Sequence, residues 1–203
     1  MNVGIYIYDD AEVLDFSGPF EVFSTASRVC DDGASPFAVF LIGETGEVVT
    51  ARANFQVTPH YSIRSHHPKI DVLIVVGGVH EGEMLKPAVT EWIAATAKTT
   101  LQTASVCTGA FLLAAAKVIT DQRVTIHWDD TADLHRQFPQ LNVKEGVRWV
   151  DDGAVVTSAG ISAGISMSLY LVSKLHSQVL AEKTARIMEF DWEYEPTAEV
   201  EET

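Results

Sequence analysis

The sequence predicts an α/β fold in which a doubly wound, mostly parallel sheet is flanked by helices. Short, near-continuous apolar runs alternate with helix-like segments from one end of the chain to the other. Strands of that composition are buried on both faces, which is typical of a parallel sheet covered by helices. In such sheets ligands bind beyond the carboxyl ends of the strands, so reactive residues that directly follow a strand are the first candidates for a functional site.

The first half of the chain is predicted to form three strands and two helices, with a small hairpin region between the second and third strands. Ser17 or Gly18 caps the first helix, and Pro19 lies in its first turn. That helix runs to about Cys30 and stops at the turn-forming Asp31-Asp32-Gly33. The predicted strands span residues 3–8, 37–42 and 71–76, the helices span 17–30 and 86–98, and the hairpin region spans 43–63.

The second half of the chain continues the alternation and ends in an acidic segment. The predicted strands span residues 102–106, 125–127 and 149–157, and the helices span 109–117, 160–176 and 181–190. Residues 1–195 are predicted to form one domain, because no internal repeat, low-complexity segment or linker interrupts the pattern. Residues 196–203 are expected to form a solvated acidic tail.

Charge and hydropathy restrict the possible partners. The chain carries 14 Lys and Arg against 28 Asp and Glu, a net charge of −14, and such a surface repels nucleic acid. The longest apolar run, residues 72–76, is too short to cross a bilayer, so no membrane contact is expected. The N-terminus resembles a strand and not a signal peptide, which places the protein in the cytoplasm with its cysteines reduced. The expected partner is therefore a small-molecule substrate.

The strongest candidate for chemistry is Cys107, which follows the predicted strand 102–106 and precedes a helix. Small residues lie two positions before and two after it, at Ser105 and Gly109, as the sharp turn of a nucleophile elbow requires. The turn places the sulfur at the mouth of the sheet and at a helix N-terminus, where N–H groups favour a thiolate. We therefore expect an acidic, accessible thiol that peroxide oxidises before Cys30. The alternative is a small buried hydrophobic residue.

Backbone donors for a developing negative charge are expected beside this turn. Gly77-Gly78 ends the third predicted strand, which can lie next to the strand of Cys107. The N–H of Gly78 and the N–H of Thr108 can then form a polar cradle of the oxyanion-hole type. The alternative is a plain turn after a strand.

Two carboxylates near the start of the first helix are candidate proton carriers. Asp15 is predicted to lie between the first strand and its helix, where it would approach Cys107 and shuttle protons for the thiol. Glu21, on the first turn of that helix, competes for the same role. The alternative for each is an acid that merely suits the helix N-terminus.

The histidines can have structural roles in place of functional ones. Neither a metal nor a cofactor is expected. His127, twenty positions after Cys107, can lie beside the thiol and tune it, or can be a structural hydrogen-bonding residue next to an aromatic. His66-His67 has no Cys or acidic partner at ligand spacing, so a metal site there is not expected. Cys30, on the face of a helix, is most simply packed in the core.

Four segments together resemble the ThiJ/PfpI superfamily, which implies its class I glutamine-amidotransferase-like, flavodoxin-like fold. Within that superfamily the chain is similar to the isocyanide hydratases and to the sensor domains of AraC-type regulators. The resemblance covers about residues 1–190, in the family's order. The segments are Leu14-Asp15-Phe16-Ser17-Gly18-Pro19, Ser105-Val106-Cys107-Thr108-Gly109, His127-Trp128 and Gly160-Ile161-Ser162-Ala163-Gly164-Ile165.

The resemblance implies cysteine-dependent hydration of an isocyanide or a similar small carbon electrophile. Cys107 would be the nucleophile and Asp15 the general acid/base, and backbone groups near Gly78 and Thr108 would form the polar cradle. Supporting roles are expected for His127, Glu21 and Ile161. The alternative is a redox or ligand sensor, or a stress-protective protein, that uses Cys107 without turnover.

Two positions depart from the patterns of this superfamily. The PfpI proteases have a His directly after the nucleophile, where this chain has Thr108, so proteolysis is not expected. Isocyanide hydratases commonly carry Asp after the Ala-Gly-Ile of the long helix, where this chain has Ser166. AraC-type regulators continue into a DNA-binding region, which is not expected in this chain.

The resemblance also implies a homodimer, because members of the superfamily are commonly dimers. Apolar and aromatic residues of the first helix, such as Phe16, Phe20 and Phe23, are expected to help form a symmetric contact. Light scattering at micromolar concentration distinguishes the dimer from a monomer.

Overall fold

The computed structural model describes residues 1–31 and 33–194, so the predicted tail at 196–203 lies outside the described residues. The strands are β1 (Asn2–Tyr6), β2 (Ala38–Gly43), β3 (Val49–Ala51), β4 (Phe55–Val57), β5 (Tyr61–Ser62), β6 (Val72–Val75), β7 (Gln102–Val106), β8 (Arg123–Val124), β9 (Asn142–Val143), β10 (Trp149–Asp152) and β11 (Val155–Ser158). The α-helices are α1 (Val13–Val29), α2 (Pro87–Ala97), α3 (Gly109–Ala115), α4 (Thr131–Gln137), α5 (Ala163–Leu175) and α6 (Gln178–Ile187). Short 3-10 helices span Arg52–Asn54, Glu83–Leu85 and Trp128–Asp130.

Seven strands form the central sheet, in the order β10-β11-β7-β6-β1-β2-β5. β10 pairs antiparallel with β11, and each of the other neighbouring pairs in that sheet is parallel. Two small ribbons, β3 with β4 and β8 with β9, complete the described strands. The predicted doubly wound, mostly parallel sheet is confirmed.

The order of the strands determines where a crevice opens. β2 lies on one side of β1, whereas β6 and β7, which come later in the chain, lie on its other side. In open α/β sheets the ligand crevice forms at the carboxyl ends of the strands where the order reverses in this way. The loops after β1, β6 and β7 therefore meet at the candidate site.

The central strands are buried because helices cover the sheet. Every residue of β6 and of β7 is buried. α1, α5 and α6 pack on one another as one group, and α2 packs on α3 as a second group. Burial on both faces explains why β6 is a continuous apolar run in the sequence. β7 is equally buried but includes the polar residues Gln102, Thr103 and Ser105.

The first helix begins earlier than the sequence predicts. α1 starts at Val13, so Asp15 lies in its first turn and not in a preceding loop, and Pro19 lies inside the helix. Ser17 is therefore not the cap, and its hydroxyl donates to the Val13 carbonyl at 2.8 Å. Pro19 has no N–H to donate to the Asp15 carbonyl four residues back, which is the local cost of extending the helix.

Two other regions test the predicted boundaries. Residues 125–127 do not form a strand, because the Thr125 N–H donates to the Thr157 hydroxyl at 2.8 Å and not to a neighbouring strand. The short helix α4 follows in a region where none was predicted. The predicted hairpin within 43–63 is present as β3 and β4, and β5 joins the edge of the main sheet.

The aromatic residues of α1 pack mainly inward. Phe16 and Phe23 are buried in the core, and the Phe23 ring meets the Phe37 ring edge to face at 5.1 Å. Phe20 is only partly buried. The predicted contribution of Phe16 and Phe23 to a symmetric contact is therefore wrong, because both side chains are used by the core of their own chain. The homodimer itself stays a prediction.

In residues 1–31 and 33–194, no helix combines the length and apolar character needed to cross a bilayer. The same residues contain no group of three or more His, Cys, Asp or Glu side chains placed to hold a metal ion. Cys30 and Cys107 are not joined by a disulfide.

Candidate active site

Cys107 lies on the sharp turn between β7 and α3 that the sequence predicts. Its backbone adopts φ +55°, a left-handed conformation that is strained for a residue with a side chain. The turn is so tight that a Cβ on Gly109 would lie 2.2 Å from the Val75 carbonyl oxygen. The strand, turn and helix of a nucleophile elbow are present, and packing requires glycine two residues after the cysteine.

The environment of the Cys107 thiol differs from the predicted one. The residue is 7% exposed, and burial, followed by the negative charge of Asp15, raises the pKa of the thiol to about 12. Desolvation disfavours the thiolate more than the start of the short helix α3 favours it. The prediction of an acidic, accessible thiol is therefore wrong, and the resting sulfur carries its proton.

Two backbone N–H groups act on the sulfur of Cys107 as hydrogen-bond donors. They belong to Thr108 and Ile161, and both lower the pKa of the thiol. The N–H of Gly78 instead donates to the Thr108 hydroxyl at 2.9 Å, and that hydroxyl donates to the Gly78 carbonyl at 3.0 Å. Gly78 is thus engaged with a side chain, and the second donor to the sulfur comes from Ile161.

Ile161 reaches the sulfur from a strained turn between β11 and α5. Its φ of +47° is an outlier for a β-branched residue. Strain of this kind persists where the surrounding structure imposes it, and it is concentrated at active sites. The sequence predicted a supporting role for Ile161, and the structure brings its N–H group to Cys107.

Asp15 is fully buried beside the elbow. Its Oδ2 accepts the Gly77 N–H at 3.0 Å, and its Oδ1 is buried without a hydrogen-bond partner among the residues that the structure describes. Burial raises the pKa of the carboxyl to about 7, a shift that the Gly77 hydrogen bond opposes and the charge of Glu12 increases. A carboxyl with a pKa near neutral pH can both accept and release a proton, which general acid–base chemistry requires.

Tyr8 is a site residue that the sequence analysis did not single out. The register of β1, β6 and β7, continued two residues past Tyr6, places Tyr8 in one row with Gly77 and Cys107. Within residues 1–31 and 33–194, its buried hydroxyl has no hydrogen-bond partner. Burial, followed by the charge of Asp15, raises the pKa of Tyr8 well above its usual value, so the phenol stays neutral. In the sequence, the signal for Tyr8 was its position at the end of the first apolar run.

Cys107 opens into a cleft of about 350 Å³ whose walls carry mostly charged and polar side chains. The charged residues on those walls are Glu12, Glu81, Asp129 and Asp130 against Arg52. An excess of carboxylates repels anionic ligands. The cleft is therefore suited to a neutral or cationic small molecule.

His80 is a second cleft residue that the sequence analysis did not single out. Its ring stacks on the Phe111 ring, with centroids 4.1 Å apart and planes 17° apart. His80 also lies close to Asp130: burial raises the pKa of Asp130, and positive charge on His127 or His80 opposes that rise. The signal in the sequence was its position two residues after Gly78, just beyond the end of β6.

His127 lines the same cleft as Cys107, as the sequence allowed. Its Nδ1 accepts the Asp129 N–H at 3.3 Å and lies 3.4 Å from Oδ2 of Asp130. The ring packs against Gly160, where a Cβ would lie 1.9 Å from the imidazole Cδ2. His127 is therefore held by its own loop and by the turn before Ile161.

Glu21 and Ser166 lie away from the cleft residues. Glu21 is exposed and lies 3.8 Å from Arg28. It follows Asp15 by six residues, which places the two carboxylates on different faces of one helix. Ser166, where the resembling hydratases carry Asp, accepts a hydrogen bond from Nε of Arg148 at 3.0 Å.

Two comparisons relate this sequence to known proteins. The profile of the DJ-1/PfpI family matches residues 1–174. The isonitrile hydratase of Pseudomonas putida is 29% identical over 197 residues, which span 97% of this chain and 79% of the hydratase. The matched region contains both the Asp15 and the Cys107 segments.

Solved structures share the fold. A ThiJ/PfpI family protein from Pseudomonas syringae matches with a TM-score of 0.82 at 22% identity, over 99% of this chain and 78% of its own. An AraC family transcriptional regulator from Pseudomonas putida matches with a TM-score of 0.77 at 21% identity, over 92% of this chain and 98% of that one. Because the family profile covers most of the sequence and the fold is shared, the chain belongs to the DJ-1/PfpI family.

Proposed function

We propose that this protein hydrates an isocyanide, or a similar small carbon electrophile, to an N-substituted formamide. The observation that carries the proposal is the pairing of Cys107 with Asp15, a protonated thiol on a strained turn and a buried carboxyl with a pKa of about 7. A thiol of such low acidity needs a base to take its proton. The Asp15 carboxylate, whose charge raises the pKa of that thiol, is the base that we assign to this step.

Two further observations support a neutral electrophile as the substrate. The carboxylates around the cleft disfavour anions, and an isocyanide carries no net charge. The relative from Pseudomonas putida is named an isonitrile hydratase, and isonitrile is another word for isocyanide. Both observations are compatible with hydration at Cys107.

In the first step the sulfur of Cys107 attacks the terminal carbon of R–N≡C. The S–H bond breaks and an S–C bond forms. The proton passes to the Asp15 carboxylate and from there to the attacked carbon, which gives the thioimidate S–CH=N–R. Asp15 is ionised before and after this step, so atoms and charge balance.

In the second step a water molecule attacks the thioimidate carbon. Asp15 takes a proton from the water and delivers it to the nitrogen, which gives S–CH(OH)–NH–R. The S–C bond then breaks, the hydroxyl proton returns to the sulfur, and HC(=O)–NH–R leaves. One water is consumed and the thiol is regenerated.

The N–H groups of Thr108 and Ile161 serve the same reaction. They hydrogen-bond to the sulfur, where negative charge builds up as the thiol loses its proton and again as the S–C bond breaks. Donors that are fixed in place before the reaction stabilise such charge without reorganisation. The strained backbone of Cys107 and Ile161 holds that arrangement.

Turnover of methyl isocyanide and of cyclohexyl isocyanide tests the proposal. Mass spectrometry should detect the two formamides, with one ¹⁸O when the reaction is run in labelled water. Cys107→Ala should abolish formamide formation, and the matched control Cys30→Ala should retain it. Absence of formamide from the folded protein, or unchanged turnover in Cys107→Ala, would refute the proposal.

A ligand sensor is the second candidate, and one observation favours it. Burial keeps the Cys107 thiol protonated, and a protonated thiol reacts slowly, so the cleft could hold a ligand without converting it. Under this alternative the assay yields a stable adduct or complex and no released formamide. Intact-protein mass measured on the same samples distinguishes the two functions.

A further inference from the structure

Tyr6 and Tyr8 are two buried tyrosines whose hydroxyl groups differ in their partners. The Tyr6 hydroxyl donates to Oε1 of Glu83 at 2.5 Å. The Tyr8 ring stacks on the Tyr6 ring, with centroids 6.2 Å apart, and 3% of Tyr8 is exposed. No residue that the structure describes forms a hydrogen bond with the Tyr8 hydroxyl. Because buried hydroxyl groups are normally paired, this one indicates a role with a water, a ligand or a reactant.

Tyr8, Cys107 and Asp15 meet at Gly77. The register of β1, β6 and β7, continued to the ends of the strands, places Gly77 in one row between Tyr8 and Cys107. A Cβ on Gly77 would lie 2.8 Å from the Cβ of Cys107, so the Cys107 side chain occupies the place that a side chain at Gly77 would need. Oδ2 of Asp15 accepts the Gly77 N–H at 3.0 Å. The thiol and the carboxyl are therefore both brought to the residue next to Tyr8.

The unpaired polar atoms of Tyr8 and Asp15 are a donor and an acceptor. Burial raises the pKa of Tyr8 well above its usual value, and the charges of Asp15, Glu83 and Cys107 add to that rise, so the hydroxyl keeps its proton. Within the described ranges, Oδ1 of Asp15 accepts no hydrogen bond. A water molecule can accept from a phenol while it donates to a carboxylate, and buried waters bridge polar groups that would otherwise be unpaired.

The Thr108 hydroxyl lies near Tyr8 but is engaged with the backbone. It opposes the rise in the pKa of Tyr8, which shows that the two hydroxyl groups are close. It accepts the Gly78 N–H at 2.9 Å and donates to the Gly78 carbonyl at 3.0 Å. The one hydrogen of Thr108 is thus used by Gly78, and the Tyr8 O–H is left for another acceptor.

We propose that Tyr8 and Asp15 together bind the water that attacks the thioimidate carbon. The Tyr8 O–H donates to the oxygen of this water, and Oδ1 of Asp15 accepts one of its protons. After the attack the same oxygen is the hydroxyl of S–CH(OH)–NH–R, and Tyr8 still donates to it. Tyr8 transfers no proton, so the balance of the second step is unchanged. The inference rests on the proposed function, because the thioimidate on Cys107 is the group that the water attacks.

A matched pair of variants tests the role of Tyr8 in turnover. Tyr8→Phe removes the unpaired hydroxyl and keeps the stacked ring, whereas Tyr6→Phe removes the hydroxyl that donates to Glu83. In a single turnover of cyclohexyl isocyanide, Tyr8→Phe should slow decay of the thioimidate by about 10²-fold, the usual cost of a misplaced reactant. Its melting temperature should stay the same or rise, because an unpaired buried hydroxyl is lost. Tyr6→Phe should lower the melting temperature and leave the decay rate within about tenfold of normal.

The two steps of the reaction distinguish water binding from a structural role. Because Tyr8 acts after the S–C bond has formed, Tyr8→Phe should form the thioimidate at a near-normal rate and accumulate it. Intact-protein mass should show Cys107 with the mass of one isocyanide added. In steady state kcat and KM should fall together, so that kcat/KM changes little. Normal decay in the folded variant, or equal slowing of formation and decay, would overturn the inference and leave the proposed function standing.

A measurement without substrate tests the water site independently. A high-resolution crystal structure of the unmodified protein should show a water within about 3.2 Å of both the Tyr8 hydroxyl and Oδ1 of Asp15. The same water should be lost or displaced in Tyr8→Phe and kept in Tyr6→Phe. A direct hydrogen bond between Tyr8 and Asp15, with no water bound to both, would overturn the inference. If no isocyanide is converted, the proposed function fails, and this structure still decides whether Tyr8 and Asp15 bind a water.

Discussion

Asp15 and Glu83 are two buried carboxylates that follow neighbouring strands, one in the first turn of α1 and the other in the 3-10 helix after β6, and they differ in their partners. Glu83 accepts the Tyr6 hydroxyl at 2.5 Å and pairs with the Lys86 ammonium at 2.8 Å. In the described part of the chain, Asp15 accepts a single backbone N–H, and its second oxygen has no hydrogen-bond partner. The negative charge of Glu83 is therefore compensated on both carboxylate oxygens, whereas that of Asp15 is compensated on one oxygen.

The difference shows how one protein uses buried acids in two ways. A buried carboxylate with hydrogen-bond and ion-pair partners joins parts of the structure, as Glu83 joins β1 to the loop after β6. Burial without a charged partner raises the pKa of Asp15 to about 7 and makes it a proton carrier. A buried carboxylate that lacks a charged partner is therefore the one expected to carry protons.

Asp15→Asn should have the largest effect on activity. Turnover should fall by about 10²–10⁴-fold, the usual contribution of a general acid–base group. The melting temperature should stay the same or rise, because the amide removes a poorly compensated charge. Formamide assays and thermal unfolding on one sample measure both. Near-normal turnover in the folded variant would move the proton role to a residue of the cleft such as His127.

The pH dependence of stability should show the same carboxyl directly. Because the pKa of Asp15 is raised from 3.8 to about 7 on folding, its protonation stabilises the folded state below pH 3.8, and that stabilisation is lost as the pH rises through about 7. Relative to Asp15→Asn, the free energy of unfolding should fall by about 4 kcal/mol across that window. Urea unfolding from pH 4 to 8 measures it, and a flat difference would contradict the raised pKa.

Glu83→Gln should show the opposite of Asp15→Asn, with stability lowered and turnover largely kept. The variant loses the ion pair with Lys86 and weakens the Tyr6 hydrogen bond, so the free energy of unfolding should fall by about 1–3 kcal/mol. Turnover should stay within about tenfold of normal, since Glu83 is assigned no proton transfer. Denaturant unfolding and the formamide assay provide the measurement. Loss of turnover without loss of stability would erase the distinction between the two carboxylates.

Glu12→Gln should have the smallest effect and should act through Asp15. The proposed first step needs ionised Asp15, so kcat/KM should decline as the pH falls below about 7. The charge of Glu12 helps to raise the pKa of Asp15, so its removal should move this decline to lower pH by less than about one unit. Glu83→Gln is the matched control. A shift of the decline in kcat/KM to higher pH would contradict the assignment of this pH dependence to Asp15.

The fold class and the elbow could be predicted because both depend on local pattern. β6 is apolar along its whole length because both of its faces are buried, whereas β7 is equally buried although it carries Gln102, Thr103 and Ser105. Ser105 and Gly109 flank Cys107 because the turn leaves no room, as the 2.2 Å approach of a Cβ at Gly109 to the Val75 carbonyl shows. Sterics of this kind are encoded within a few residues of the chain.

Helix boundaries and local pairing were less predictable. Pro19 suggested a helix start, yet α1 begins at Val13, because the packing of the helix outweighs one lost hydrogen bond. Residues 125–127 have the composition of a strand, but the Thr125 N–H bonds to the hydroxyl of Thr157. In both places a contact from elsewhere in the chain decided between local options.

The sequence by itself determined the doubly wound sheet and the turn at Cys107, and its resemblance to a known family favoured Asp15 over Glu21 as the candidate carboxyl. Only the tertiary structure decided their chemical state, since the pKa values of about 12 for the Cys107 thiol and about 7 for Asp15 arise mainly from burial. It also showed that Gly78 bonds to the Thr108 hydroxyl and that Ile161 supplies the second N–H donor to the sulfur. Desolvation and hydrogen bonding depend on atoms from distant segments that meet only when the carboxyl ends of the strands are assembled into one edge of the sheet.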